Sequence, residues 1–251
     1  MIQKETGRRQ RNRLERHGAF LATAKAIVTA EGLDALTMQR LAGELDCAVG
    51  TAYTYFPSKS ALVAEVQREA IERLTESYIR FADAFDAEIA TTGTASTSFG
   101  ADVALGRVVG FGRWAIAIVD AFPEEARLMQ MLMAESRRSI IDDADVHRVI
   151  PAALRLVDHA RAAFEAAQST GALRPGEPLE RTVVLLATIN GVVAVDNLAR
   201  VDAELFDGRR MAADTVTVLL SGWGATADAL ARATRTIDAL AARGLLARGS
   251  A

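Results

Sequence analysis

The chain is poor in the residues that hold small secreted folds and metal centres together: one of its 251 residues is cysteine, Cys47, and three are histidine. A lone cysteine closes no internal disulfide and builds no cysteine-based zinc site, so a reducing cytoplasm is the expected compartment. Proline is scarce at five residues and aromatics make up 6%, against 50% apolar and 24% charged residues, a balance that excludes disordered, collagen-like and membrane classes. The first twenty residues hold no apolar stretch long enough for a signal-peptide core; Lys4, Arg8, Arg9, Arg11, Arg13 and Arg16 stand there instead, and export is not expected. The longest nearly uncharged apolar run, 182–195, has 14 residues against the roughly 20 that a membrane span needs. It reads as a buried helix, with no membrane partner.

Catalytic motifs are missing as well. There is no G-x-S-x-G elbow, H-E-x-x-H, P-loop or dinucleotide glycine fingerprint. His147 and His159 stand near Asp142, Asp143 and Asp145, but a twelve-residue separation does not put two ligands on one helix face. Neither an enzyme, a cofactor nor a metal is expected.

Net charge is −3, which alone argues against nucleic acid, yet it is unevenly spread. Residues 1–60 carry nine basic and six acidic side chains, net +3, and residues 61–251 carry net −6. The basic end is where a polyanion would be held.

Apolar residues recur at helical spacing throughout, and no alternating run bounded by turn pairs suggests a hairpin, so the expected fold is all-α. Leu14, Phe20, Leu21, Ala24, Ile27 and Val28 form one stripe that Gly32 ends. Thr37 is an N-cap, and Leu36 with Leu41 a hydrophobic staple, for a helix of about two turns ending near Leu45. After a break at Asp46, Cys47 and Ala48, another short helix ends at Phe56 ahead of Pro57, and Ser58 caps a long one. Phe56 and Cys47 are expected in the core. Further helices are expected at roughly 102–121, 124–141, 145–170, 179–203, 209–222 and 227–242.

Three short helices with a three-residue break between the second and third have the make-up of a helix-turn-helix, whose recognition helix enters the major groove. The string from Thr37, TMQRLAGELDCAVGTAYTYFPSKSALVAEV, resembles the N-terminal DNA-binding domain of the TetR (tetracycline-repressor) family of bacterial transcriptional regulators. The matching positions are Thr37, Leu41, Ala42, Leu45, Gly50, Thr51, Tyr53, Tyr55, Phe56, Lys59 and Leu62, within about residues 14–66. Asp46 replaces the glycine usual at the family's turn, and Ala48 replaces the Ser or Thr that usually caps the recognition helix. The resemblance implies that Thr37, Tyr53, Tyr55 and Lys59 clamp the DNA backbone, while Val49, Gly50 and Thr51 face bases. Thr54 adds a hydroxyl on the same helix, and hydroxyls serve phosphates and base edges alike. The basic run Arg8 to Arg16 resembles family extensions laid along or into the minor groove.

The implied organisation is a basic arm and helix-turn-helix over 1–60, then a larger helical effector-binding and dimerisation domain over 61–251. The resemblance implies a cavity for a small effector, and Phe81, Phe85, Phe111, Trp114, Met129, Met133 and Phe164 favour an apolar or amphipathic one. Arg113, Asn190 and Asp196, polar within apolar helices, are either interface hydrogen-bonders or ligand anchors; Asn190 is taken as a ligand candidate. Leu186, Ile189, Val193, Val216 and Leu220 are candidates for a homodimer interface, which the resemblance implies is a four-helix bundle. The expected function is a repressor released from a palindromic double-stranded DNA operator by its effector. The alternatives are a non-catalytic helical scaffold, which would need neither the hydroxyl-bearing third helix nor the charge asymmetry, and an enzyme.

Overall fold

A computed structural model of the chain describes residues 2–92, 99–134 and 141–247, with side chains described at 8, 10–91, 99–130 and 141–247. The described residues form helices and turns, with no strand among them. Helix α1 spans Ile2–Glu31. Its buried stripe is Phe20, Leu21, Ala24, Ile27 and Val28. Leu14, expected in that stripe, is 67% exposed; the stripe begins instead at Phe20, whose ring lies 5.2 Å from Tyr55 and 6.2 Å from Phe56.

Gly32 ends α1 at φ 90°, a left-handed conformation that costs glycine nothing, and donates its N–H to the Val28 carbonyl at 2.9 Å. A 3-10 turn, Leu33–Ala35, leads to α2, Met38–Glu44. The Thr37 hydroxyl accepts from the Arg40 N–H at 3.1 Å, and Leu36 and Leu41 are fully buried on either side of it, so cap and staple both form. The turn then closes through the Asp46 N–H to Gly43 and the Cys47 N–H to Ala42, with Asp46 at φ 45°. Aspartate tolerates that conformation better than most residues, which is why the glycine usual there is dispensable. Helix α3, Val49–Tyr55, opens at Ala48 without a side-chain cap and stops where Phe56 turns extended before Pro57.

The remaining helices are α4 (Lys59–Thr92), α5 (Phe99–Ala121), α6 (Pro123–Ala134), α7 (Asp143–Ser169), α8 (Pro178–Val193), α9 (Gly208–Gly222) and α10 (Ala227–Ala242). The end of the span expected at 124–141 falls on 135–140, outside the described residues, and residue 141 is a bend; the span expected at 179–203 is too long. Helix α8 tightens into a 3-10 turn, Ala194–Leu198, and the chain leaves it in turns. In that turn the Asp196 carboxylate accepts from the Gly208 N–H at 2.5 Å and pairs with Arg209, beside Asp207, which caps α9 by accepting from the Arg210 N–H at 2.8 Å.

The chain forms two compact units, Met1–Ile71 with Arg127–Ala153, and Glu72–Ala126 with Leu154–Ala251. In the first, the α1 stripe, Leu36, Leu41, Ala52 and Phe56 share the core. A polar knot fastens the starts of α4 and α7: the Asp145 carboxylate accepts from Ser60 at 2.7 Å, Arg148 at 3.0 Å and Ser58 at 3.4 Å, while Ser60 accepts from the Asp142 N–H at 2.8 Å. In the second unit α5 packs on α8, α9 and α10, and α8 packs on α9. Helix α5 comes close because it is bare at Gly110, where a Cβ would stand 2.5 Å from the Phe81 ring and 3.1 Å from Ile237.

The Ser60 hydroxyl, with Arg148 and Ser58, holds the Asp145 carboxyl below its ordinary range against the opposing effect of burial. A depressed carboxyl contributes stability above its unfolded value of about pH 4 and loses it as pH falls through the lower folded value. Asp145→Asn is therefore expected to flatten the acid limb of the melting temperature against pH; an unchanged limb would show that the knot is energetically idle. Trp114, 1% exposed, fills the core of the second unit. Trp114→Ala is expected to lower unfolding free energy in urea by roughly 3–5 kcal/mol, and a loss below about 1 kcal/mol would contradict that packing.

Candidate nucleic-acid interface

The turn at Asp46 leaves α3 held at one face and bare at the other. Ala52 is buried, whereas Gly50, Tyr53 and Thr54 are exposed, Tyr53 by 50%. A spacing of three and four residues puts these on one helix face. A Cβ added at Gly50 would meet nothing within 4 Å, so this face has room for close approach of another molecule's backbone. The Thr54 hydroxyl donates to the Gly50 carbonyl at 3.0 Å, leaving its oxygen as an acceptor. Val49 and Thr51 are half-buried at the edge of the face.

The expected clamp residues occupy different settings. Thr37 is exposed, with its hydroxyl capping α2. Tyr55 turns its ring inward, toward Phe20 and to within 6.4 Å of His17. Lys59 donates its ammonium to the Leu33 carbonyl at 2.9 Å and keeps donors to spare. Arg8, Arg11, Arg13 and Arg16 are exposed, but on α1 itself: the basic arm is helix, because α1 runs unbroken from residue 2. Cys47 is half-exposed instead of core, since it lies in the turn beyond the buried seam.

Sequence reasoning missed Arg40. Its guanidinium grips both Glu31 carboxylate oxygens, one at 2.7 Å, and lies 3.8 Å from Glu44. The hydrogen bond from Arg40 holds the Glu31 carboxyl below its ordinary range. The nine-residue gap to Glu31 matches no helical spacing, so only the fold brings the pair together.

The effector candidates do not form one group. Phe81, Phe85, Phe111 and Trp114 are buried in one ring cluster: Phe81 lies 6.4 Å from Phe85, and Phe111 5.7 Å from Trp114. Tyr78 joins it at 5.2 Å from both Phe111 and Trp114, and burial pushes its phenol up to about 12. The Trp114 indole donates to Ser77 at 3.3 Å. Phe164 stacks edge-on with Trp223 at 5.5 Å instead. Met129 is half-buried and belongs to the first unit, and the Met133 side chain lies outside the described residues. Asn190 spends its amide on the Leu186 carbonyl at 2.8 Å, and Arg113 pairs with Asp238 at 2.9 Å. With Asp196 accepting from the Gly208 N–H, all three of these polar residues find partners inside the chain.

The interface candidates need correction. Ile189, Val193, Val216 and Leu220 are buried within the chain and Leu186 half-buried, because these are the faces that α8 and α9 turn inward. The outward apolar residues include Leu179, Val183, Val184 and Ala187 on α8 and Val218 on α9. The run read as a buried helix lies within Pro178–Leu198, 21 residues long and apolar enough to cross a membrane by length and composition, yet only 22% of its most apolar window is buried.

Residues 20–66 match the family model of bacterial regulatory proteins, tetR family. No curated protein matches the chain. Among solved structures, a protein of Mesorhizobium loti described as a TetR-family transcriptional regulator is 15% identical, with a TM-score of 0.48 over 82% of this chain and 96% of its own. SmeT, the repressor of the Stenotrophomonas maltophilia multidrug efflux pump SmeDEF, is 17% identical, with a TM-score of 0.49 over 80% and 88%. A HlyIIR mutant with residues 170–185 substituted by alanine is 15% identical, with a TM-score of 0.46 over 85% and 98%. The sequence match coincides with the turn, the capped α2 and the bare face of α3, so residues 20–66 are similar to the bacterial regulatory proteins of the tetR family, as a helix-turn-helix ahead of a larger all-α part.

Proposed function

We propose that the chain is a homodimeric, ligand-responsive repressor of the cytoplasm, which reads a palindromic DNA operator with α3 and releases it on binding an apolar or amphipathic small molecule. The observation that carries this reading is the exposed face of α3, with Gly50, Tyr53 and Thr54 on a turn matched by the family model. Thr37, Tyr53, Tyr55 and Lys59 serve phosphates in this reading, and Val49, Gly50, Thr51 and Thr54 meet base edges. A non-catalytic scaffold would have no use for a hydroxyl-bearing helix presented in this way. The division of labour is that of a DNA-reading part over 1–60 and an effector-binding, dimerising part over 61–251.

One short module buries too little surface for tight specific binding, and two modules about one turn of DNA apart reach it. The outward apolar stripe of α8 with Val218 of α9 supports pairing through these two helices, since an apolar face of this length is costly to leave in water. An effector then needs to favour the non-binding arrangement of the modules by about 1–3 kcal/mol, the usual scale of such coupling.

Lys59→Ala is expected to weaken binding to all DNA sequences alike in a retardation assay and to lower the salt slope by about one, whereas Thr51→Ala shifts sequence preference. Unchanged affinity and slope in Lys59→Ala and Tyr53→Phe would remove the clamp. Light scattering is expected to show a dimer at micromolar concentration and a monomer for Val183→Glu combined with Val218→Glu; a monomeric parent chain sinks the dimer.

A further inference from the structure

The second unit contains a cleft of about 320 Å3 between the end of α4, the start of α5 and α10, with Phe85 of the aromatic cluster at its edge. Its floor is apolar, with Phe85, Ile89, Val103 and Ala239 among the lining residues. The floor exists because residue 106 is glycine: a Cβ there would stand 2.8 Å from the Phe85 ring and push it out of place. The volume falls in the range of small-molecule sites.

Charge distinguishes one wall of the cleft. Arg232 pairs with Asp102 at 2.8 Å, and Glu88 with Arg243 at 2.5 Å, so these charges are matched within the chain. Arg235 lines the same cleft from α10, three residues from Arg232, and forms no ion pair or hydrogen bond among the described residues. The Thr236 hydroxyl beside it donates to the Arg232 carbonyl at 3.3 Å and keeps its oxygen as an acceptor. An apolar floor with one uncompensated guanidinium on its rim suits a molecule with an apolar tail and a single anionic head, because a guanidinium binds a carboxylate through two parallel hydrogen bonds. It suits a sugar phosphate poorly, since the floor has no partners for several hydroxyls.

From this arrangement we infer that the cleft between α4, α5 and α10 binds an amphipathic monocarboxylate, tail on the Phe85 floor and head on Arg235. Its effect on DNA rests on the ligand-responsive reading above; its binding does not. The test uses the full chain and three probes that share one tail: octanoate, 1-octanol and octylammonium. In calorimetric titration and thermal melting, octanoate is expected to bind saturably at one site and raise the melting temperature, with the other two ineffective. Arg235→Glu is expected to weaken octanoate by at least about tenfold, the worth of a charged hydrogen bond, and to admit octylammonium. Ala239→Phe, which fills the cleft from the exposed side of α10, should abolish octanoate binding in a chain that melts as before. Equal stabilisation by 1-octanol, no saturation, or octanoate binding indifferent to Arg235→Glu would overturn the assignment. Octanoate that binds in this way yet leaves DNA retained supports the cleft and defeats the ligand-responsive reading. DNA released by octanoate equally from Arg235→Glu supports that reading and defeats the cleft.

Discussion

Three consecutive residues at the start of α4 tie together stretches of chain that are far apart in sequence. Ser58 caps the helix through the Ala61 N–H at 2.9 Å, Lys59 reaches the Leu33 carbonyl in the link between α1 and α2, and Ser60 holds Asp145 and the Asp142 N–H at the start of α7. Successive residues entering a helix point about 100° apart, so three neighbours serve three directions at once. The helix-turn-helix is short: α2 and α3 have seven residues each, too few to be stable alone. Their geometry is borrowed from α1 and α4, and this knot fixes where α4 begins. Lys59 thereby ties the start of α4 to the link between α1 and α2.

The second unit is arranged on a different principle. Its interior is aromatic and tight, and Arg113, Asn190 and Asp196, polar within its apolar helices, each find a partner inside the unit. Arg209 joins Asp120 and Asp196, and Asp196 also takes the Gly208 N–H. Gly208 cannot be larger, since a Cβ there would stand 2.7 Å from the Asp196 carboxylate and 2.9 Å from two carbonyls of α8. One carboxylate therefore takes both the first N–H of α9 and the Arg209 guanidinium, close to the end of α8.

Charge follows the same division of labour. The surplus of basic residues in 1–60 is carried on exposed α1 positions and around the turn, and Arg40 there is already matched by Glu31. A phosphate would have to compete with that carboxylate for the guanidinium, so the net charge of the module overstates the cation available to DNA.

Helix type, caps and breaks were legible in the residues because they are local. Thr37, Leu36 with Leu41, Gly32 and Pro57 each act within a few positions of themselves, and each does in the fold what its chemistry requires. The likeness of residues 20–66 to the tetR family model was legible for the same reason, as a spacing of small, aromatic and hydroxyl side chains. What the sequence could not contain was direction. A helix apolar on several sides does not say which side faces in, and so Ile189 and Val216 proved inward and Val183 and Val218 outward. Asp196 met the Gly208 N–H twelve residues on, Glu31 met Arg40 across nine, and Arg235 was left unmatched while Asp102 and Glu88 paired with other arginines. Pairings at such distances are settled by which surfaces the packed helices bring together, and only the tertiary structure decides them.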